Sequence, residues 1–255
     1  MSAFKARIRA AFDRADTYDA NAVVQRRAAA LLADDLARLP LPDRPRVLEV
    51  GCGTGFLAEA AADRLAGADW LMTDISPAMV DRARSRFGTR HRYAILDGDA
   101  PAFDPPERPF DLVCSNLSLQ WFEERERALL RLFHLLSPGG FLVFSTFVEG
   151  TLGEWRQAHE ALGLRSGTPS LPSLEELDSL RLEGSDGRIH VERLIQENPD
   201  GRAFVRSLRA IGAATPRSRH RPLGPSAMRA VLRRFDAGGA QATYLIAFCV
   251  FRRPQ

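Results

Sequence analysis

The sequence predicts an α/β fold: a doubly wound, mostly parallel seven-stranded sheet, with N-terminal helices and a helical insertion after the fifth strand. Three observations lead there. Short apolar runs alternate with helix-period stretches from residue 46 to residue 147, as in successive βαβ units. The first of these runs, Arg46 to Val50, enters a glycine-rich turn, as the opening strand of such a sheet does. The alternation stops at Gly150, and a mixed stretch with Gly, Pro and Ser clusters follows before strand- and helix-like segments resume.

Each element has its own reason. Residues 4–39 carry Ala, Leu and Val at three- and four-residue spacing up to Pro40 and Pro42, which predicts helix. Phe56 to Ala66 is rich in Ala and Leu and meets Gly67, a helix with its C-terminal glycine. Asp69 to Thr73 is the second strand. Pro77 opens a helix to Phe87, with Ser76 as N-cap. His91 to Leu96 and Phe110 to Ser115 are the third and fourth strands. Glu123 to Leu136 is a helix, and Ser137-Pro138-Gly139-Gly140 turns it into the fifth strand, Phe141 to Phe147. Within 151–187, Leu152–Leu162 and Ser173–Arg181 read as helical, and the stretch is expected over the sheet's carboxyl edge. Ile189 to Gln196 predicts a sixth strand. Asp200 to Ile211 and Pro225 to Phe235 predict helices around an Arg- and Pro-rich loop at 213–224, and Ala242 to Phe251 is the last strand.

Composition fits one globular domain. The chain has 255 residues, 45% hydrophobic and 26% charged, which speaks against disorder, and no window approaches the roughly 20 apolar residues that a membrane-spanning helix needs. The first sixteen residues hold no apolar core, so a secretory signal is not expected and the cytoplasm is the expected compartment. Three scattered cysteines, Cys52, Cys114 and Cys249, suit buried thiols better than a disulfide framework, and no metal site is expected. The charge is uneven. Residues 201–255 carry 11 Arg, no Lys and one acid, Asp236, for a local +10, whereas residues 1–200 carry −7, leaving +3. A basic end on an acidic body suits an acidic partner, or simply a solvated face. Few aromatics accompany those arginines, so nucleic acid is not the expected partner.

The first turn reads Glu49-Val50-Gly51-Cys52-Gly53-Thr54-Gly55. Glycines there let the backbone turn sharply and approach a ligand with no Cβ in the way. The dinucleotide fingerprint wants its third glycine at 56, where this chain has Phe56, so a cofactor without phosphates is expected. Asp74 ends the second strand, where an acid accepts from ribose hydroxyls; it equally suits the start of the next helix. Asp99, in Asp97-Gly98-Asp99-Ala100, follows the third strand, where a carboxylate accepts from an adenine amino group or stabilises a turn.

These segments resemble the class I S-adenosylmethionine-dependent methyltransferases, which have a Rossmann-like sheet. VLEVGCGTG resembles that family's first motif, TDIS its second-strand motif, DGDA its adenine-side motif and LLSPGGFLVFST its strand after the helix. The resemblance implies S-adenosylmethionine at Gly51, Cys52, Gly53 and Gly55, with Asp74 on the ribose and Asp99 near the adenine. Glu49 would orient the loop and the methionine amino group. Gln25, Ile75, Met79, Ala100 and Asn116 complete the implied cofactor set.

A narrower resemblance spans nearly the whole chain. Phe12 to Asp19 with Val24-Gln25, Ser115 to Trp121, Phe144 to Phe147 with Gly150 to Glu154, and Arg206 to Ala213 are similar to segments of the malonyl-acyl-carrier-protein O-methyltransferases of biotin synthesis. Two positions depart: Arg209 stands where Lys is common, and Trp155 where a smaller aliphatic residue is common. The implied reaction moves a methyl group to the free carboxylate of a malonyl thioester, on acyl carrier protein or CoA. Tyr18, Asn116, Gln120, Trp121 and Arg206 are the implied catalytic residues. Tyr18 is expected to close over the cofactor or touch the carboxylate. Arg206 is expected to bind that carboxylate or the prosthetic-group phosphate. Trp121 suits the core equally well, and His134 and His159 read as structural. The implied organisation is one domain, 1–255, with a helical cap at 1–40 and lid or substrate-side elements at 151–187 and 200–235. Arg202, Arg209, Arg217, Arg219 and Arg221 are the expected contacts for an acidic, malonyl-loaded carrier. A methyltransferase for another small acid or a quinone-type ring, and a cofactor-binding module without turnover, are the alternatives.

Overall fold

A computed structural model describes residues 1–100, 108–180, 182, 184–215 and 222–255. Among them, seven strands form one sheet: β1 (Arg46–Val50), β2 (Asp69–Asp74), β3 (Arg92–Ile95), β4 (Phe110–Asn116), β5 (Leu136–Phe147), β6 (Asp186–Glu197) and β7 (Gln241–Arg252). Their order is β3-β2-β1-β4-β5-β7-β6. The first five pair in parallel, and β7 lies antiparallel between β5 and β6. This is the doubly wound, mostly parallel sheet that the sequence predicts. The strand order reverses between β1 and β4, so a crevice opens at their carboxyl ends.

The central strands bury both faces, and alternate side chains feed two cores. Val47, Leu112, Cys114 and Val143 face the core that takes in α3 (Val23–Leu36) and α4 (Phe56–Ala61). Leu48, Val50, Val113, Leu142 and Phe144 face the core covered by α6 (Arg125–His134), through Leu129, Leu132 and Phe133. Cys52, Cys114 and Cys249 are all buried free thiols. No helix among the described residues is long and apolar enough to cross a membrane.

Several boundaries differ from the sequence reading. The N-terminal run divides into α1 (Ala3–Asp13), α2 (Tyr18–Asn21) and α3. Asp16, Thr17, Asp19 and Asn21, residues that favour caps and turns over helix interiors, cluster at the break, and tertiary bonds fix its geometry. The carboxylate of Asp13, the last residue of α1, accepts from the Ser76 hydroxyl at 2.6 Å, and Arg82 donates to the Ala15 carbonyl at 2.7 Å. Ser76 in turn caps α5 (Pro77–Phe87), as expected. The helix after the glycine turn stops at Ala61. Gly67 is needed for a different reason, since a Cβ there would sit 2.6 Å from the Asp43 carbonyl. The Ser137–Gly140 turn lies inside β5, where the β4–β5 register jumps from Phe110↔Leu136 to Leu112↔Phe141. After β5 come α7 (Gly153–Glu160) and α8 (Leu174–Asp178), both shorter than expected. The helices α9 (Gly201–Ala210) and α10 (Pro225–Ala237) follow β6 and precede β7, respectively.

Candidate active site

The turn after β1 curls because Gly51, Gly53 and Gly55 hold φ of +70°, +55° and +91°. Cys52 N–H donates to the Thr73 carbonyl at 2.9 Å, which ties the turn to β2. Each glycine answers a different constraint. A Cβ on Gly51 would lie 2.5 Å from the Ser118 Cβ, and one on Gly55 would lie 2.4 Å from the Phe87 ring. Gly53 faces the Tyr18 hydroxyl, 3.8 Å from where its Cβ would be. Asp74 closes the turn: one oxygen accepts from Gly53 N–H at 2.9 Å and the other from Ser76 N–H at 2.8 Å.

These groups line a narrow crevice of about 70 Å³. Gly51, Gly53, Asp74, Ile75, Met79 and Asn116, all singled out in the sequence, are on its wall. Burial pushes the Asp74 carboxyl up to about 6, against the opposing pull of its backbone hydrogen bonds. Glu49 lies behind the turn, 1% exposed, and its Oε2 has no hydrogen-bond partner among the described residues. Burial first, and the Asp74 charge second, push Glu49 up to about 8. Cys52 and Gly55 are not among the residues on the wall.

One face of α1 roofs the crevice, with Lys5, Ile8 and Phe12 at i, i+3 and i+7. The Lys5 ammonium is buried and lies 2.9 Å from Asp97 and 3.3 Å from Asp99. Asp99 and Ala100 are not on the wall; Asp97 and Gly98 are. The Asp99 carboxylate accepts instead from the N–H groups of Glu123 and Glu124, at the approach to α6.

A second cavity, a chamber of about 550 Å³, adjoins the first. Phe12, Tyr18, Leu117 and Trp121 line both. Phe12 meets Trp121 edge to face at 5.7 Å, and Tyr18 stacks on Phe56 at 6.0 Å. Burial and the Asp74 charge push the Tyr18 phenol well up, so it is a donor at neutral pH. Gln25 and Gln120 line the chamber. Its far side comes from α7, α9, α10 and β7, where Trp155 packs against Phe204 and Phe235 at 5.3 Å each. Arg206 is off the chamber. Val205, Leu208 and Arg209 share the inward face of α9, and Arg206, one step of about 100° round the helix from Val205, is exposed. The basic group that α9 presents to the chamber is Arg209. Arg217, Arg219 and Arg221 lie outside the described residues.

Sequence reading missed Lys5, Ile8, Phe12, Asp97, Leu117 and Tyr244 as lining residues. The α1 face is legible as a periodic stripe, but nothing in the stripe says what it covers. Leu117 has φ +48°, a left-handed leucine for which no residue type gives warning.

A family model described as a methyltransferase domain matches residues 47–140. The biotin biosynthesis bifunctional protein BioCD of Bordetella avium is 43% identical over 241 residues, 94% of this chain and 51% of that protein, so the chain spans about half the length of this relative. Malonyl-[acyl-carrier protein] O-methyltransferase of Magnetococcus marinus is 35% identical over 247 residues, 95% of this chain and 90% of the relative. The solved YcgJ protein of Bacillus subtilis has a TM-score of 0.62 at 13% identity, covering 90% of this chain and 99% of its own. Phosphoethanolamine N-methyltransferase 2 of Haemonchus contortus, solved with S-adenosyl-L-methionine, gives 0.55 at 22% identity, covering 88% and 52%. Both structures share the fold described above.

Proposed function

The chain belongs to the malonyl-[acyl-carrier protein] O-methyltransferase family, and from that membership we propose that it methylates the free carboxylate of malonyl-acyl-carrier protein for biotin synthesis, with S-adenosylmethionine as donor. The observation that carries this reading is the wall shared by crevice and chamber. Phe12, Tyr18, Leu117 and Trp121 line both, so a donor in one meets an acceptor in the other among side chains, out of bulk water.

The crevice suits that donor. Each Asp74 oxygen holds one backbone N–H and keeps a lone pair for a ribose hydroxyl. The unpartnered, buried Glu49 oxygen suits a cationic amino group near the turn. When bound, S-adenosylmethionine supplies an electrophilic methyl group on a sulfonium. The protein's own part is positioning. A malonyl carboxylate is already ionised at pH 7, so no general base is required. The apolar chamber strips water from it, and Asn116, Gln120 and Trp121 hold its oxygen in line with the methyl group. The Tyr18 phenol donates a hydrogen bond at the meeting point of the two cavities. Residues 1–40 act as a cap, latched over the donor by Lys5 on Asp97 and Asp99. Residues 151–187 and 200–235 are the substrate side, where Arg209 pairs with the prosthetic-group phosphate or the malonyl carboxylate and Arg202 with the acidic carrier. The proposed compartment is the cytoplasm.

Mass spectrometry of malonyl-acyl-carrier protein after incubation with donor and protein tests the proposal. One methyl group gained at the carboxylate supports it. Transfer to another small acid, with the malonyl carrier untouched, overturns it.

A further inference from the structure

The carboxyl ends of β4 and β5 stand side by side, with Asn116 opposite Ser145. Ser145 is completely buried. Its hydroxyl accepts from Leu117 N–H at 3.0 Å and lies 2.8 Å from Asn116 Oδ1. A backbone N–H can only donate, so the single hydroxyl proton must go to Asn116, and the atom receiving it must be the amide oxygen. The amide nitrogen is then left to donate to the Gln25 carbonyl, 3.0 Å away, which can only accept. One chain of hydrogen bonds, from α3 through β4 to β5, thus fixes which way the Asn116 carboxamide faces.

The same hydroxyl clamps the next residue. Leu117 adopts φ +48°, a region that side chains with a Cβ avoid. Its N–H is held by both the hydroxyl and the carbonyl oxygen of Ser145, at 3.0 and 3.1 Å. Asn116 lines the crevice and Leu117 lines both cavities, so the clamp sits directly behind the wall through which they meet.

We infer that Ser145 is a positioning residue for donor binding and methyl transfer, acting through Asn116 and Leu117 without touching donor or acceptor. The inference rests on the reading of the crevice as the donor site. Its test is a double-mutant cycle of Ser145→Ala and Asn116→Ala, read two ways: the affinity for S-adenosylhomocysteine by calorimetry, and kcat against KM with the malonyl carrier. Each single variant is expected to lose about tenfold in donor affinity and in kcat, with the acceptor KM nearly unchanged. The double variant is expected to lose no more than the worse single, because the two act as one unit. Ser145→Thr, which keeps the hydroxyl, is expected to recover most of the loss. Additive losses overturn the inference, as does a Ser145→Ala variant that melts earlier but binds and turns over as the wild type does. Should the alanine variant not fold, Ser145→Cys keeps a weak donor in similar volume; wild-type affinity and kcat there overturn the inference and an intermediate loss supports it. If the wild type binds S-adenosylhomocysteine but leaves the malonyl carrier unmethylated, the acceptor assignment falls while the affinity cycle still decides Ser145.

Discussion

The crevice and the chamber are neighbours built on different principles. The floor of the crevice, beneath the α1 roof, is made of strand ends and the turns that follow them, and its shape is set by bonds from backbone N–H groups: Gly53 and Ser76 to Asp74, Cys52 to Thr73. The far side of the chamber is made of side chains: α7, α9 and α10 meet through aromatic packing around Trp155, and β7 adds Tyr244. A backbone-built site tolerates almost no change in residue type but needs few residues. A packed site tolerates exchange of residue type but needs many parts to arrive together.

That contrast sets the size and kind of effect expected from substitution. The largest belongs to the turn. Gly51→Val adds a side chain 2.5 Å from the Ser118 Cβ at φ +70°, and binding of S-adenosylhomocysteine should fall by about a hundredfold or more. Near-normal affinity by calorimetry would break the contrast at its strongest point. Next comes Trp155→Ala, which opens a void against Phe204 and Phe235 and should cost about 3–5 kcal/mol of stability. In the protein that still folds, the acceptor KM should rise while donor affinity holds; the reverse pattern would merge the two regions into one.

A smaller effect is electrostatic. Burial lifts the Glu49 carboxyl from 4.5 to about 8, so between those pH values the folded protein keeps a proton that the unfolded chain has lost. Stability of the donor-free protein should therefore fall as pH rises from about 4.5 to about 8, and Asp74, lifted to about 6, adds to the lower half of that fall. Glu49→Gln removes the larger part, so its melting temperature should exceed the wild type's by a few degrees, roughly 4–8 °C, at alkaline pH and converge with it near pH 4.5. Calorimetric melts that diverge at acid pH instead would contradict the burial argument. The smallest effect is at the rim. Arg209→Glu should raise KM several-fold for the carrier-linked substrate, less for malonyl-CoA, and leave donor affinity alone. Equal changes for both acceptors would remove the carrier from the account.

The same contrast explains what was legible in the sequence. The glycine turn, Asp74 and the Ser76 cap lie within short segments that carry their own geometry, so spacing brings them to one place, and the family resemblance adds Ile75. The seven strands were legible for the same reason, from apolar runs and their alternation. The roof was not. Phe12 and Lys5 reach the crevice only because Asp13 binds Ser76 and the chain breaks at residues 14–17, a contact across more than sixty positions. The motif that carries Arg206 and Arg209 says nothing of helix phase; both are exposed, but of the two only Arg209 lines the chamber. Asp99 read as a ligand-facing acid, but the N–H groups of Glu123 and Glu124, and Lys5 beside them, compete for its oxygens. No local pattern announces that competition.

The three buried thiols sit at separate places: Cys52 in the turn, Cys114 in the central strand β4 and Cys249 in the antiparallel strand β7. Burial keeps each of them protonated and shielded. The chain therefore contains its own three-channel clock of local opening. A thiol-directed label will mark each cysteine only as fast as its surroundings breathe, and a molecule lodged beside the turn should slow the first channel while the other two keep their pace.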